Sequence, residues 1–189
     1  MPGEARSEVI ISPEGILMFE HLFRPRSDQK TRDGRPKFTA TLCIKPKFQK
    51  TAQFKAMKQA VEGVKAEKWG EQVPKKLKTP FLTSDDLDKV PEGIEEGDVF
   101  IRVTAVNKPK LVDQHVHEIM DESELYAGAR VRMSIQAYTW TDDKGGKGIS
   151  FGLNNVQKIG DGAHLSGGSR AEDDFDEVET EDEEDDLLN

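Results

Sequence analysis

The sequence predicts a mainly β fold with one prominent helix: a small antiparallel five-stranded barrel followed by a disordered acidic tail. Three observations predict it. Five segments of strand length carry apolar residues, most of them in strict alternation; one segment carries a helical period; and the acidic charge is concentrated at the C-terminal end. A parallel sheet would need a crossover helix between successive strands, and only one clear helix is present.

Residues 1–15 are polar and punctuated by Pro2, Gly3, Pro13 and Gly15. Residues 16–23 form a mixed apolar run of strand length, closed by Arg24-Pro25-Arg26 and a charged loop expected to last through Pro36. Phe38, Ala40, Leu42 and Ile44 then alternate with Lys37, Thr39, Thr41, Cys43 and Lys45, which predicts a half-buried second strand. Within residues 49–69, Phe54, Met57, Val61 and Val64 fall three or four apart and place one apolar stripe on a helix that Gly70 stops. Residues 71–97 hold Pro74, Pro80, Pro91, Gly93 and Gly97 and read as a long irregular connection, with one short element near Phe81.

In residues 98–106, Val99, Ile101, Val103 and Ala105 are expected inside, with Phe100, Arg102 and Thr104 outside. The cleanest alternation spans 129–140. Ala129, Val131, Met133, Ile135 and Ala137 form one face; Arg130, Arg132, Ser134, Gln136, Tyr138 and Trp140 form the other. A glycine-rich hairpin turn over 142–148 leads to Ile149, Phe151 and Leu153 on the fifth strand. Gly128 and Gly152 offer the bends that a small barrel needs. Five strands with excursions between them fit an OB-fold.

The formal net charge of −9 hides two opposite parts. Residues 171–189 carry twelve acids and no base, which leaves 24 of the 36 acids against all 27 bases and makes residues 1–170 basic by three. The chain therefore divides into a folded domain over 1–170 and a tail over 171–189 too acidic to collapse. Cys43 is the sole cysteine, so neither an intramolecular disulfide nor a thiolate zinc cluster is available, and a reducing compartment is expected. No apolar run approaches the ~18 residues of a membrane span, and residues 1–12 lack a signal-peptide pattern. A soluble cytoplasmic protein without metal, cofactor or membrane association is expected.

The outward face of 130–140 suits single-stranded nucleic acid. Arg130 and Arg132 would meet phosphates and release counterions, while Tyr138 and Trp140 would stack on bases that a duplex keeps hidden. Each such stack is worth roughly 1–3 kcal/mol, so two or three rings would hold a strand. Phe100 with Arg102 repeats the pattern on a neighbouring strand; Lys144 and Lys147 lie on the hairpin, and Lys37 and Lys45 on the polar face of the second strand. The competing reading packs Tyr138 and Trp140 against the barrel and pairs the arginines with acids. Two strands sharing one basic, aromatic face favour binding. A tethered polyanion would compete for such a groove at high effective concentration. Phe175, Leu187 and Leu188, apolar among acids, suit a basic, hydrophobic pocket on a partner protein.

Catalytic signals are weak. His115 and His117 lie near Asp113 and Glu118, but no further ligand pattern accompanies them, and a surface loop is expected. Asp85, Asp86 and Asp88 have nuclease-like spacing only, and a solvated turn is the better reading. No phosphate-binding loop, nucleophile elbow or zinc-protease motif is present, and Cys43 lacks a nearby histidine, so an enzyme is disfavoured. The alternative from another class is an interaction module whose acidic tail is the active part, as a DNA mimic or a chaperone of basic proteins. That reading leaves the basic face of 130–140 unexplained. An exposed edge strand or a swapped tail would each make a homodimer.

Several stretches carry a family resemblance: Phe19-Glu20-His21-Leu22-Phe23, residues 37–42, Lys108-Pro109-Lys110-Leu111-Val112-Asp113, residues 126–138 and residues 147–158. Across roughly 15–175 the chain resembles the bacteriophage single-stranded DNA-binding proteins of OB-fold type with an acidic C-terminal tail. The resemblance implies a non-enzymatic coat for single strands at replication or recombination forks of an infected bacterial host. It also implies a tail that recruits polymerase, helicase or recombination proteins. Tails of that kind often end in an aromatic residue; this one ends Leu187-Leu188-Asn189, with Phe175 far from the terminus.

Overall fold

The computed structural model describes residues 3–30 and 34–165. The first long strand, β2 (Gly15–Lys30), follows a two-residue strand β1 (Ile10–Ile11), and β3 (Pro36–Ile44) returns beside it. After α1 (Ala52–Trp69) come β4 (Val99–Ala105), the short β5 (Lys110–Val112), β6 (Arg130–Thr141) and β7 (Lys147–Gly160). The strands lie in the order β1-β6-β2-β3-β4-β7-β5, and β6 also pairs with β7. That pairing closes β6, β2, β3, β4 and β7 into a ring. Within it every contact is antiparallel except β4 with β7. This is the five-stranded OB-type barrel expected from the alternation.

The inward faces of β3, β4, β6 and β7 fill the ring: Leu42, Ile101, Val103, Met133 and Ile135 are fully buried and Phe151 nearly so. The helix stripe of Phe54, Met57, Val61 and Val64 joins the same core. Phe81 bridges helix and barrel, its ring 5.7 Å from Phe54 and 5.8 Å from Phe151. Thr51 caps the helix by accepting the Phe54 N–H, and Gly70 ends it at φ 55°. Gly128 enters β6 at φ 110° with the Ala163 carbonyl against it, so no side chain fits there.

Four expectations change. Strand β3, expected to be half-buried, is buried on both faces from Phe38 to Ile44, because Thr39 and Thr41 lie low between neighbouring strands and Cys43 is covered by the segment that seals Phe100. The loop foreseen after residue 23 is strand, with Arg26 opposite Lys37 and Lys30 opposite Pro36. Pro25 is tolerated because the ladder is interrupted between His21 and Arg26. Strands β1 and β5, of two and three residues, are too short to show a period. Phe100, expected outside, is 1% exposed, because residues 82–98 fold over that end of the barrel. Leu82 pairs with Phe100, and Ile94, Met18 and Cys43 close around the ring. The tail, with Phe175, Leu187 and Leu188, lies outside the described residues.

Candidate nucleic-acid interface

A groove crosses the outer surface of the barrel. Its first section, about 500 Å³, is floored by Thr39 and Thr41 of β3 and Thr104 of β4, and is flanked by Phe19, His21, Arg26 and Arg102. The second, about 570 Å³, shares Thr104 and continues past Lys37, Lys108, Gln136 and Tyr138 to Arg6. The third, about 380 Å³, shares Asn155 with the second and ends among Lys110, Arg132, Ile11 and Val116. No aspartate or glutamate lines any of the three sections among the described residues. The outward alternation of β3 and β4 turns small threonines to the floor, and lysines and arginines rise along the walls.

The expected site residues fall into three groups. Lys37, Arg102, Tyr138 and Arg132 line the groove. Arg132 also donates to Gln157 at 2.7 Å. The Tyr138 ring rests on Gly152, and the Arg6 guanidinium lies 5.4 Å from its centroid. Trp140 continues the Tyr138 face toward the hairpin tip, whereas Lys147, paired with Thr141, falls on the opposite face and Lys144 lies in the turn. There Asp142 accepts the backbone N–H groups of Lys144 and Gly146. Trp140 is half-buried: it lies across Gly148, donates its indole N–H to Ser150 at 2.9 Å, and has the Lys78 ammonium 5.6 Å from its ring.

The third group is not on the groove. Arg130 turns to Glu14, its Nε 2.5 Å from the carboxylate, and that pairing raises the guanidinium pKa. Lys45 is drawn inward to Asp98, at 2.7 Å, and Glu95, at 3.2 Å. Burial works against its charge, but the two carboxylates outweigh that and hold its pKa above the ordinary value. Phe100 is sealed under residues 82–98 and presents no face to a base. Cys43 is fully buried, and burial followed by the nearby Asp98 pushes its thiol up to about 12, so no thiolate is available at neutral pH.

Alternation alone misses several groove residues, among them Arg6, Lys108, Lys110, Phe19 and Arg26. Arg6 sits in an aperiodic segment placed by its bridge to Tyr138, Lys108 follows β4 in a turn, and Phe19 and Arg26 belong to the irregular part of β2. Asp85, Asp86 and Asp88 are exposed, with Asp86 accepting the Thr83 N–H at 2.8 Å in a capped turn. His115 and His117 are exposed on the turn after β5, where Asp113 accepts both backbone N–H groups.

The model of the Enterobacter phage Enc34 single-stranded DNA-binding protein family matches residues 8–188. The chain belongs to this family. Protein p50 of Acyrthosiphon pisum secondary endosymbiont phage 1 is 27% identical over 177 residues, covering 89% of this chain and 92% of p50. The bacteriophage Enc34 single-stranded DNA-binding protein, solved in complex with single-stranded DNA, superposes with a TM-score of 0.69 at 21% identity, over 82% of this chain and 88% of that one. Bacteriophage T7 gp2.5, also a single-stranded DNA-binding protein, shares the fold at a TM-score of 0.64 and 13% identity, over 93% and 99% of the two chains. The Enc34 family is one of binding proteins rather than enzymes, as the absence of catalytic motifs led one to expect. No helix among the described residues is long and apolar enough to cross a membrane.

Proposed function

We propose that this chain coats single-stranded DNA with little sequence preference during phage DNA replication or recombination, in the cytoplasm of the infected bacterium. The observation that carries the reading is the groove over the β3–β4 face, which no aspartate or glutamate lines among the described residues. That is the surface on which OB-folds take oligonucleotides. Lys37, Arg102, Lys108, Arg6 and Arg132 contact phosphates, Tyr138 offers a ring, and Lys144 and Lys147 extend the positive field along the hairpin.

The tail acts on the same groove. Leu165, the last described residue, packs beside Phe19 at the groove's first section and donates its N–H to Ala127 at 3.0 Å. The first acid of the tail, Glu172, follows seven residues later, at most about 25 Å along the chain. The tail competes with DNA at high effective concentration and, once displaced, offers Phe175, Leu187 and Leu188 to replication or recombination proteins.

The test is a titration with poly-dT at several salt concentrations, on the full chain and on one lacking 171–189. Affinity that falls with salt and rises on deletion supports both parts. Activity lost on deletion would instead make the tail the functional element, as in an interaction module.

A further inference from the structure

We propose that Phe19 is the principal base-stacking platform of the groove, its ring standing between two successive bases of the bound strand. The proposal deepens the single-stranded DNA reading and rests on it. Among the rings near the groove, Phe100 is buried, Trp140 lies between Gly148 and Lys78, and Tyr138 lies between Gly152 and Arg6. Phe19 is 54% exposed.

A single exposed phenylalanine is ordinary. This one also has φ 49°, a left-handed backbone that a bulky residue rarely adopts and that is strained. The β2–β3 ladder breaks between Met18 and His21, and that irregularity turns the Phe19 side chain outward where strict alternation with the barrel-core residue Leu17 would turn it inward. The chain therefore carries a strained backbone to hold an apolar ring in water. Packing inside the protein does not repay that strain, whereas a ligand with a flat apolar face does.

The ring's surroundings fit bases in particular. Clefts of about 280 and 300 Å³ open on either side of it. Met18, Ala127 and Leu165 line the first together with Glu20, His21 and Glu92, and Thr41, Leu87 and Ile94 the second together with Lys89 and Arg102. Pro91 is common to both. Arg102 stands in the adjoining groove section, where the flanking phosphates would run, beside Arg26, whose guanidinium is paired with Asp28. An exposed ring with clefts beside it and the Arg102 guanidinium in the adjoining groove section is an arrangement that suits stacking recognition of single strands.

The experiment compares full-length wild type with Phe19→Gly, Phe19→Leu and Phe19→Trp. Each is measured against labelled oligo-dT and an abasic oligomer of equal length and charge. Glycine accepts the left-handed backbone, so that variant removes the ring and keeps the chain path; leucine keeps apolar bulk without a π-face. Wild type should prefer oligo-dT over the abasic strand. Phe19→Gly and Phe19→Leu should each weaken oligo-dT binding about tenfold, with abasic binding and salt dependence unchanged. Phe19→Trp should bind as wild type and add fluorescence quenching by oligo-dT. Wild-type affinity for oligo-dT in the glycine and leucine variants overturns the Phe19 role while leaving the DNA reading intact. So does equal weakening on both oligomers, which marks a structural effect. A wild-type chain that binds neither oligomer overturns the DNA reading itself.

Discussion

The ammonium of Lys45 lies 2.7 Å from Oδ2 of Asp98, a carboxylate whose side chain is 1% exposed. The same oxygen accepts the Glu95 N–H at 2.8 Å and the Cys43 thiol at 3.5 Å. One buried carboxylate thus ties the end of β3 to the segment that seals Phe100. Lys45→Met leaves that charge without its cation, and the cost of breaking a buried pair applies, discounted because Lys45 keeps part of its surface in water. The expected result is a loss of about 2 kcal/mol in chemical denaturation. Poly-dT affinity should change less than twofold, since the lysine is not on the groove.

Cys43 gives this region a pH dependence of definite sign. Its folded-state pKa of about 12 lies above the ordinary 9.0, so the stability it contributes is fully present below pH 9. As the pH rises from about 9 toward 12, the unfolded chain loses the proton first and stability falls, by up to about 1.4 kcal/mol per pH unit. Urea denaturation of wild type and Cys43→Ala between pH 8 and 11 should give curves that converge as the pH rises. Parallel curves would show that the thiol ionises alike in both states.

The barrel was legible because β3, β4 and β6 alternate strictly and the helix stripe is regular; Val131, Met133, Ile135 and Ala137 are all buried as their spacing requires. What escaped the sequence is what depends on a distant segment. Phe100 has the spacing of an outward residue, and only the fold of 82–98 above it decides otherwise. Lys45 reads as surface charge until Asp98, fifty-three residues away, is placed beside it. Arg6 reaches the groove through one bridge to Tyr138, and Phe19 through a ladder break that no period announces. Alternation singles out the outward face of β6, yet the groove runs across the strands rather than along one of them. Neighbours in the site are therefore far apart in sequence.

Cations on the walls should differ from the expected cations off them. Arg102→Ala and Lys37→Ala each remove one groove charge, so each should weaken poly-dT binding and reduce the slope of log affinity against log salt by about 0.7. Arg130→Ala removes a guanidinium already neutralised by Glu14 and should leave the slope unchanged. Fluorescence anisotropy at four or five salt concentrations separates the two outcomes. Equal slopes for all three variants would move the strand's path off the groove.

Tyr138 and Trp140 share a face and should nonetheless part company. Tyr138 lines the second groove section, and the long Arg6 side chain over its ring can yield to a base. Trp140 does not line the groove: one indole face lies on Gly148, its N–H is donated to Ser150, and Lys78 above it is fixed by backbone bonds to Lys147 and Ile149. Tyr138→Ala should therefore weaken oligo-dT binding about fivefold, the low end of a stacking contribution, with little change in thermal midpoint. Trp140→Ala removes ring packing and a hydrogen bond and should lower stability by about 1–2 kcal/mol while changing affinity less than twofold. Paired binding and melting measurements on both variants decide it. A Trp140→Ala protein that melts normally but loses oligo-dT affinity would extend the stacking surface to the hairpin tip, alongside Lys144 and Lys147.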